Sequence, residues 1–176
     1  GVRFYFLDNE KYFRREGYYG YYDDAERFAW FSKAALDSIA HLPGDRPEIL
    51  HCSEWQTALV PVFLKTVYRG NEYFSKFKTV FTIHNIEYQG RYGMELLSDM
   101  FGIDGRDAGL LRMDGDLNLM KAAIVACDKL TTVSPTYAQE LLYPFYGRGL
   151  QDIIRENEYK LSGILHGIDV SLFNPS

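Results

Sequence analysis

The stretch that decides the fold is Lys78–Gly93, KTVFTIHNIEYQGRYG. It begins with Thr79–Ile83, a run of β-branched and aromatic residues that is typical of a buried strand. Two polar side chains, His84 and Asn85, end the run, and the glycine-containing segment Tyr88–Gly93 follows. In an open α/β sheet, ligands bind beyond the carboxyl ends of the strands. The stretch therefore predicts a central strand that ends at a ligand site; the alternative is that His84 and Asn85 only cap local backbone.

Length and composition predict one folded domain with a hydrophobic core. The chain has 176 residues, of which 47% are hydrophobic and 16% aromatic, and this balance excludes a disordered protein. The formal charge is −5 without a block of Lys or Arg, so we expect no nucleic-acid partner. No apolar run reaches the roughly 20 residues of a membrane helix, so no membrane partner is expected. Cys52 and Cys127 lie in apolar stretches, which favours free thiols and a reducing compartment.

Strand and helix patterns alternate about five times along the chain. Strands are predicted at Val2–Leu7, Glu48–Cys52, Lys78–Ile83, Lys129–Val133 and Leu161–Leu165. Helices are predicted from Asp23 to a break at Pro43–Asp45, over Trp55–Tyr68, Glu95–Met100 and Leu117–Cys127, from Ser134 to Pro144, and over Leu150–Arg155, with loop and short turns over Gly102–Gly115. This order predicts right-handed βαβ crossovers and an α/β fold, a Rossmann-like three-layer α/β/α domain with a mostly parallel sheet. Because the chain lacks an initiator Met and begins within a predicted strand, we expect a piece of a longer protein.

Each predicted strand is followed by polar residues. They are Asp8-Asn9, Ser53-Glu54, His84-Asn85, Ser134-Pro135 and His166-Gly167. Since parallel strands end at the same edge of a sheet, the pattern predicts a ligand cleft there. The alternative is that each residue only caps the helix that follows, and for Ser134 capping is the favoured interpretation.

Several familiar patterns are missing from the sequence. There is no GxGxxG for a dinucleotide, no P-loop and no GxSxG elbow. His51 and Cys52 are adjacent, but no CxxC or HxxxH spacing suggests a metal site. We therefore expect neither a cofactor nor a metal.

Four blocks resemble bacterial glycogen synthase and plant starch synthase. In order, they are HCSEWQTALVPVFLK (51–65), FTIHNIEYQGRYG (81–93), LNLMKAAIVACDKLTTVSPTYAQEL (117–141) and KLSGILHGIDVSLFNP (160–175). The resemblance implies a retaining glucosyltransferase of the GT-B fold that extends an α-1,4-glucan from ADP-glucose. Residues 1–176 would form a single domain, most of the N-terminal, acceptor-side domain, with the C-terminal nucleotide-binding domain absent. The implied compartment is the cytoplasm of a bacterium or the plastid of a plant.

The resemblance also implies roles for individual residues. His84 would contact the donor sugar through hydrogen bonding and charge stabilisation and is the implied catalytic residue, while Asn85 would hold its loop in place. The other implied substrate-binding residues are Tyr19, Glu54, Trp55, Tyr88, Gln89, Gly90, Ser134 and His166. Four positions depart from the family pattern: Glu54 replaces an Asp, Ser53 and Gln56 replace histidines, and His166 replaces an Asn. These departures leave open an altered substrate preference or a weakened site.

The implied partners are ADP-glucose as donor and an α-glucan, such as glycogen or maltodextrin, as acceptor. The family's Lys-Gly-Gly loop and the Arg, Lys and Glu of its second domain are not in this sequence, so we expect the isolated chain not to catalyse transfer. Three alternatives stay open. The first is a non-catalytic module whose tyrosines stack on glucan rings, and the second is a related GT-B enzyme that uses UDP-glucose. The third is a plain Rossmann-like domain whose Tyr and His residues are structural.

Overall fold

The computed structural model describes residues 1–44 and 46–174. Two residues named above, Asp45 in the predicted helix break and Pro175 at the end of the last block, lie outside this range. The strands are β1 (Ile49–Ser53), β2 (Lys78–Ile83), β3 (Arg91–Tyr92), β4 (Arg112–Met113), β5 (Asp116–Asn118), β6 (Lys129–Thr132) and β7 (Leu161–Gly163). The α-helices are α1 (Glu10–Phe13), α2 (Asp24–Ile39), α3 (Leu59–Lys65), α4 (Leu96–Asp99), α5 (Ala108–Leu111), α6 (Leu119–Ala126), α7 (Pro135–Glu140), α8 (Pro144–Gly147) and α9 (Gln151–Glu156).

The main sheet has the strand order β1-β2-β6-β7, and every neighbouring pair is parallel. Phe81 in β2 pairs with Cys52 on one side and with Leu130 on the other. Each connection steps the chain to the next strand in the same direction along the sheet. The predicted α/β fold with a mostly parallel sheet is confirmed. Four of the five predicted strands end at one shared edge, whereas Asp8-Asn9 does not follow a strand and Asn9 instead caps α1.

One predicted strand, Val2–Leu7, was wrong. The structure assigns no strand to these residues, and Val2 and Phe6 are 80% and 90% exposed. A strand is stable only when its backbone groups pair with another strand, and β1 pairs with β2 alone within the described residues. The apolar composition of Val2–Leu7 predicted strand propensity correctly but could not supply the neighbour that such a strand requires.

The helix predicted over Leu117–Cys127 begins in the structure at Leu119, two residues later than predicted. Leu117 and Asn118 belong to β5, which pairs with β3 and β4 in a small antiparallel sheet. The Asn118 side chain accepts a hydrogen bond from Lys121 N at 2.9 Å and so caps α6. Asp114 and Gly115, both at positive φ, connect β4 to β5, as the central residues of a type I′ hairpin do.

The predicted helix Trp55–Tyr68 is divided into a 3-10 turn, Trp55–Thr57, and the shorter helix α3. Pro61 lies in the first turn of α3, where its missing N–H has no helical partner to lose. The α-helix therefore begins later than predicted, at Leu59, and it ends at Lys65, three residues before the predicted end at Tyr68.

The hydrophobic core joins the sheet to the helices. Phe81, Ile83 and Leu130 are fully buried in one cluster that includes side chains of α2, α3, α6 and α9. Burial of a side chain such as Phe81 contributes about 1.5–3 kcal/mol to folding. This packing fixes the carboxyl ends of β1, β2 and β6, from which the candidate site extends. Within residues 1–44 and 46–174, no helix has the length and apolar composition that a membrane crossing requires.

Candidate functional site

The ends of β1 and β2 are joined by the side chain of Glu54. Glu54 directly follows β1, and its carboxylate oxygen Oε1 accepts hydrogen bonds from the backbone N–H groups of His84 and Asn85. These two N–H groups lie just beyond β2, where no further strand pairing engages them. The Asn85 side chain in turn accepts a hydrogen bond from Glu87 N at 3.0 Å, which forms a local turn. The predicted site residues Glu54, His84 and Asn85 therefore form one connected group.

His166 joins this group from the far side of the sheet. It follows β7, and its ring centroid lies 5.0 Å from that of His84, with the ring planes tilted by 53°. Both histidines are exposed at the surface of the described residues. Since neither ring is buried, both imidazoles can reach a ligand beyond the sheet edge.

Ser134 is used as a helix cap. Its hydroxyl oxygen accepts a hydrogen bond from Tyr137 N at 2.9 Å, with Pro135 at the first helical position. The Tyr137 hydroxyl accepts a hydrogen bond from Ile86 N at 3.4 Å, and burial raises the pKa of this phenol above its ordinary value. The capping interpretation of Ser134 is confirmed, and its predicted role in substrate binding stays a prediction.

A second group of predicted site residues lines an open cleft of about 790 Å³ beside the strand ends. Its lining includes Tyr19, Trp55, Tyr88, Gly90, Tyr92 and Arg148. Tyr19 and Tyr88 are each 52% exposed, with ring centroids 6.3 Å apart and planes tilted by 55°. Exposed aromatic faces with nearby hydroxyl groups suit a polar, ring-shaped ligand such as a sugar.

Trp55 forms the floor of the cleft. It is only 6% exposed and packs edge-on against Phe28, with ring centroids 5.0 Å apart. Gly90, at φ +64, brings its backbone so close that a Cβ there would lie 2.9 Å from Trp55 Cε3. Tyr92 also packs near the indole, with ring centroids 6.1 Å apart, and burial raises its phenolic pKa well above the usual range, so its hydroxyl stays protonated. The packed indole of Trp55 therefore forms the buried base of the cleft.

Gln89 is buried, and its amide is occupied by the protein. Its Nε2 donates hydrogen bonds to the carbonyl oxygens of Ile86, at 3.2 Å, and Arg148, at 3.0 Å. Its Oε1 accepts a hydrogen bond from Asn118 Nδ2 at 2.7 Å. These bonds attach the segment after His84 to the β5–α6 junction and to the loop of Arg148. Gln89 lies at the cleft and holds the cleft wall in place through these contacts, and its predicted role in substrate binding stays a prediction.

The sequence analysis did not identify a buried ion pair that holds in place the loop containing Tyr19. Arg27 is 1% exposed, pairs with Asp24, and donates hydrogen bonds to the carbonyl oxygens of Tyr12, at 2.8 Å, and Tyr18, at 3.2 Å. Asp24 also accepts hydrogen bonds from Gly20 N and Tyr21 N, at 2.5 and 3.1 Å. The available signal was an Arg within the apolar face of α2, a position where a charge requires a partner.

Neither group has an excess of positively charged side chains. The strand-end side chains Glu54, His84, Asn85, Ser134 and His166 include no Lys or Arg. Arg148 lies at the cleft, where its guanidinium pairs with Glu87 at 2.8 Å. In the part of the chain that the structure describes, no three His, Cys, Asp or Glu side chains are grouped to hold a metal. The geometry therefore suits hydrogen bonding to a neutral polyhydroxylated ligand.

Comparison with known proteins gives one consistent family. A family model described as the starch synthase catalytic domain matches residues 1–156. The glycogen synthase of Alkaliphilus metalliredigens is 44% identical over 176 residues, which cover 99% of this chain and 37% of that protein. The glycogen synthase of Streptococcus agalactiae serotype III is 47% identical over 176 residues, with the same coverage of 99% and 37%.

A solved structure agrees with these sequence relatives. It is the catalytic domain of starch synthase IV from Arabidopsis thaliana bound to ADP and acarbose, with a TM-score of 0.79 and 36% identity. The alignment covers 94% of this chain and 34% of that one. This chain thus spans a little over a third of the length of the proteins that it matches. On the match of residues 1–156, the chain belongs to the starch synthase catalytic domain family.

Proposed function

We propose that the protein containing this chain is a retaining glucosyltransferase that moves glucose from ADP-glucose to the non-reducing end of an α-1,4-glucan. In this proposal, residues 1–176 are most of the acceptor-side, N-terminal domain, and a second domain of the same protein binds the nucleotide. In this proposal the reaction takes place in the cytoplasm if the source is a bacterium, or in the plastid if the source is a plant.

The observation that carries the proposal is the position of His84 between two surfaces. On one side its backbone is held by Glu54 and its ring faces His166, beyond the ends of parallel strands. On the other side the chain continues directly into the cleft of Tyr88 and Tyr19. A transferase requires a polar group at the reacting sugar and an adjoining platform for the acceptor, and this arrangement supplies both.

In the proposed reaction, His84 forms a hydrogen bond to the donor glucose and helps to stabilise the charge that develops as the bond between glucose and the diphosphate breaks. His166 lies within reach of the same sugar, while Tyr19 and Tyr88 receive the acceptor glucan by stacking. Developing charge is stabilised best by donors that are already oriented before the reaction. The hydrogen bonds that fix the backbone at His84 meet this requirement.

This chain by itself is expected to be inactive in transfer. The departing diphosphate accumulates negative charge, which cationic groups or helix N-termini must stabilise. The strand-end group has no Lys or Arg, and Arg148 is already paired with Glu87. In our proposal the second domain supplies these cations and reads the base of the nucleotide.

The test uses the full-length protein, meaning this chain together with the remaining length found in its relatives. Radiolabelled ADP-glucose and UDP-glucose are each incubated with maltodextrin, and incorporation into glucan is measured. Incorporation from ADP-glucose, absent with residues 1–176 alone, is the expected result. Incorporation only from UDP-glucose would replace the donor in the proposal. Binding of maltodextrin without transfer from either donor would overturn the transferase and favour a glucan-binding module, which the exposed faces of Tyr19 and Tyr88 also suit.

A further inference from the structure

The backbone of Glu54 is held in a conformation that side chains rarely adopt. Its φ of 63° and ψ of 169° lie in a region populated almost only by glycine. Asp114 and Arg148 are also at positive φ, and Arg148, at ψ 41°, lies in the ordinary left-handed region. A residue with a long side chain persists in such a strained conformation only where surrounding bonds enforce it.

The surrounding bonds at Glu54 are present on both sides. Its N–H donates to the Thr82 carbonyl at 3.1 Å, which extends the pairing of β1 and β2 by one residue. Its carbonyl accepts a hydrogen bond from Thr57 N at 3.1 Å. The Thr57 hydroxyl donates to the Ser53 carbonyl at 2.6 Å and accepts from Ser53 N at 2.8 Å. The backbone at residue 54 is therefore fixed before and after the strained position.

This backbone conformation directs the Glu54 carboxylate toward the end of β2. Oε1 accepts hydrogen bonds from His84 N and Asn85 N, the two N–H groups that leave β2. A carboxylate that accepts two backbone N–H groups forms charge-assisted bonds, which are stronger than neutral ones. The second oxygen, Oε2, forms no hydrogen bond within residues 1–44 and 46–174.

We propose that Glu54 is a positioning residue: its Oε1 fixes the backbone of His84 and Asn85, and thereby the direction in which the His84 ring points. The role of His84 in transfer rests on the proposed function. The two hydrogen bonds from His84 N and Asn85 N to Glu54 Oε1, called the brace below, are independent of it. In this account the strain at Glu54 is retained because a relaxed backbone would direct the carboxylate away from β2.

The two carboxylate oxygens make the proposal testable with one conservative variant. Glu54→Gln keeps an oxygen that can accept from His84 N and Asn85 N, but replaces the other oxygen with an NH₂ donor. Glu54→Ala removes both. If the residue acts through Oε1, the Gln variant retains most of the function, and if it binds the sugar through Oε2, the Gln variant fails as the Ala variant does. Glu48→Ala, an exposed carboxylate just before the other end of β1, is the matched control.

The experiment measures hydrogen–deuterium exchange and steady-state kinetics on the full-length protein. We expect Glu54→Ala to raise exchange at the His84 and Asn85 amides about tenfold or more, because a hydrogen bond to a charged group is lost. Exchange within Thr79–Thr82 of β2 should stay unchanged, which shows that the sheet remains folded. In Glu54→Ala, we also expect kcat to fall about a hundredfold with a smaller change in KM. Glu54→Gln should stay within about tenfold of the unmodified protein in both exchange and kcat. Glu48→Ala should match the unmodified protein.

Two results would overturn the brace. One is parent-like exchange at His84 and Asn85 in Glu54→Ala. The other is a Glu54→Gln variant that loses as much kcat as Glu54→Ala while its amides stay protected, which would assign the function to Oε2 and substrate. If the parent transfers no glucose, the proposed function fails, but the exchange comparison still decides whether Glu54 holds His84.

Discussion

His84 and His166 bring their rings together across the end of the sheet, with centroids 5.0 Å apart and planes tilted by 53°. His84 follows β2 and His166 follows β7, and β6 lies between these two strands. The contact therefore spans three neighbouring strand ends. It places two hydrogen-bonding rings at the edge where parallel α/β sheets bind ligands.

His166→Asn should retain more activity than His166→Ala. An amide keeps hydrogen-bonding groups at the position next to His84, whereas Ala removes both the polar group and the ring contact. We expect kcat/KM for ADP-glucose to fall less than about twofold in the Asn variant and up to about tenfold in the Ala variant, since one hydrogen bond to a ligand contributes about 0.5–1.5 kcal/mol. Equal values for Ala and the parent would remove His166 from the site.

Arg27→Ala should destabilise the chain strongly. Removing one partner of a buried ion pair costs about 3–5 kcal/mol, because Asp24 would stay buried without its partner. Urea unfolding followed by circular dichroism measures the loss. The control is Lys33→Ala, which removes the half-exposed pair with Asp37 and should cost about 1 kcal/mol or less. A similar small loss in both variants would mean that Arg27 does not hold the loop of Tyr19.

Gly90→Ala should disturb the floor of the cleft. The new Cβ would lie 2.9 Å from Trp55 Cε3, and the residue would remain at φ +64. Gly102 is the matched control, since it has the same φ of +64 and nothing within 4 Å of a Cβ. We expect a shift in Trp55 fluorescence, recorded in a Trp30→Phe background, for the Gly90 variant alone. A shift of equal size in Gly102→Ala would show that backbone conformation, and not the contact with Trp55, is responsible.

Stability should fall as the pH rises above about 9. Burial raises the pKa of the Cys52 thiol to about 12 and that of Cys127 to about 11, from an ordinary value of 9.0. Between 9.0 and these values the unfolded chain loses thiol protons that the folded chain retains, so the unfolded state is favoured as pH rises. The expected slope is up to about 1.4 kcal/mol per pH unit for each thiol. Urea unfolding from pH 8 to 10.5 should show a smaller slope in Cys52→Ala; an unchanged slope would exclude Cys52 as a cause.

Local signals in the sequence predicted the elements that depend on local physics. Ser134 and Pro135 indicated a helix start, and the structure has that cap at 2.9 Å. The apolar run of β2 indicated a buried strand, and Phe81 and Ile83 are fully buried. The Asp114-Gly115 pair was also an available hairpin signal, and it would have identified β4 and β5 within a segment that was interpreted as a loop and a helix.

Relationships between distant segments could not be predicted in the same way. Strand propensity at Val2–Leu7 does not reveal whether a pairing partner exists. Gln89 was predicted to contact substrate because its neighbours resemble a binding motif, but its amide bonds to Ile86, Arg148 and Asn118 depend on tertiary packing. Likewise, nothing in the sequence shows that Glu54 adopts positive φ and turns its carboxylate toward His84. Such contacts are set by the whole fold.

The most direct measurement is kcat/KM for glucose transfer from ADP-glucose to maltodextrin by the full-length protein and by its His84→Ala variant. His41→Ala is the control, because His41 is an exposed histidine two residues after the end of α2. We expect His84→Ala to lose about a hundredfold or more, with an unchanged circular dichroism spectrum, because a donor placed at the developing charge is removed. The His41 variant should equal the parent. Transfer by His84→Ala at the parent's rate would contradict the central claim that His84 lies at the reacting sugar.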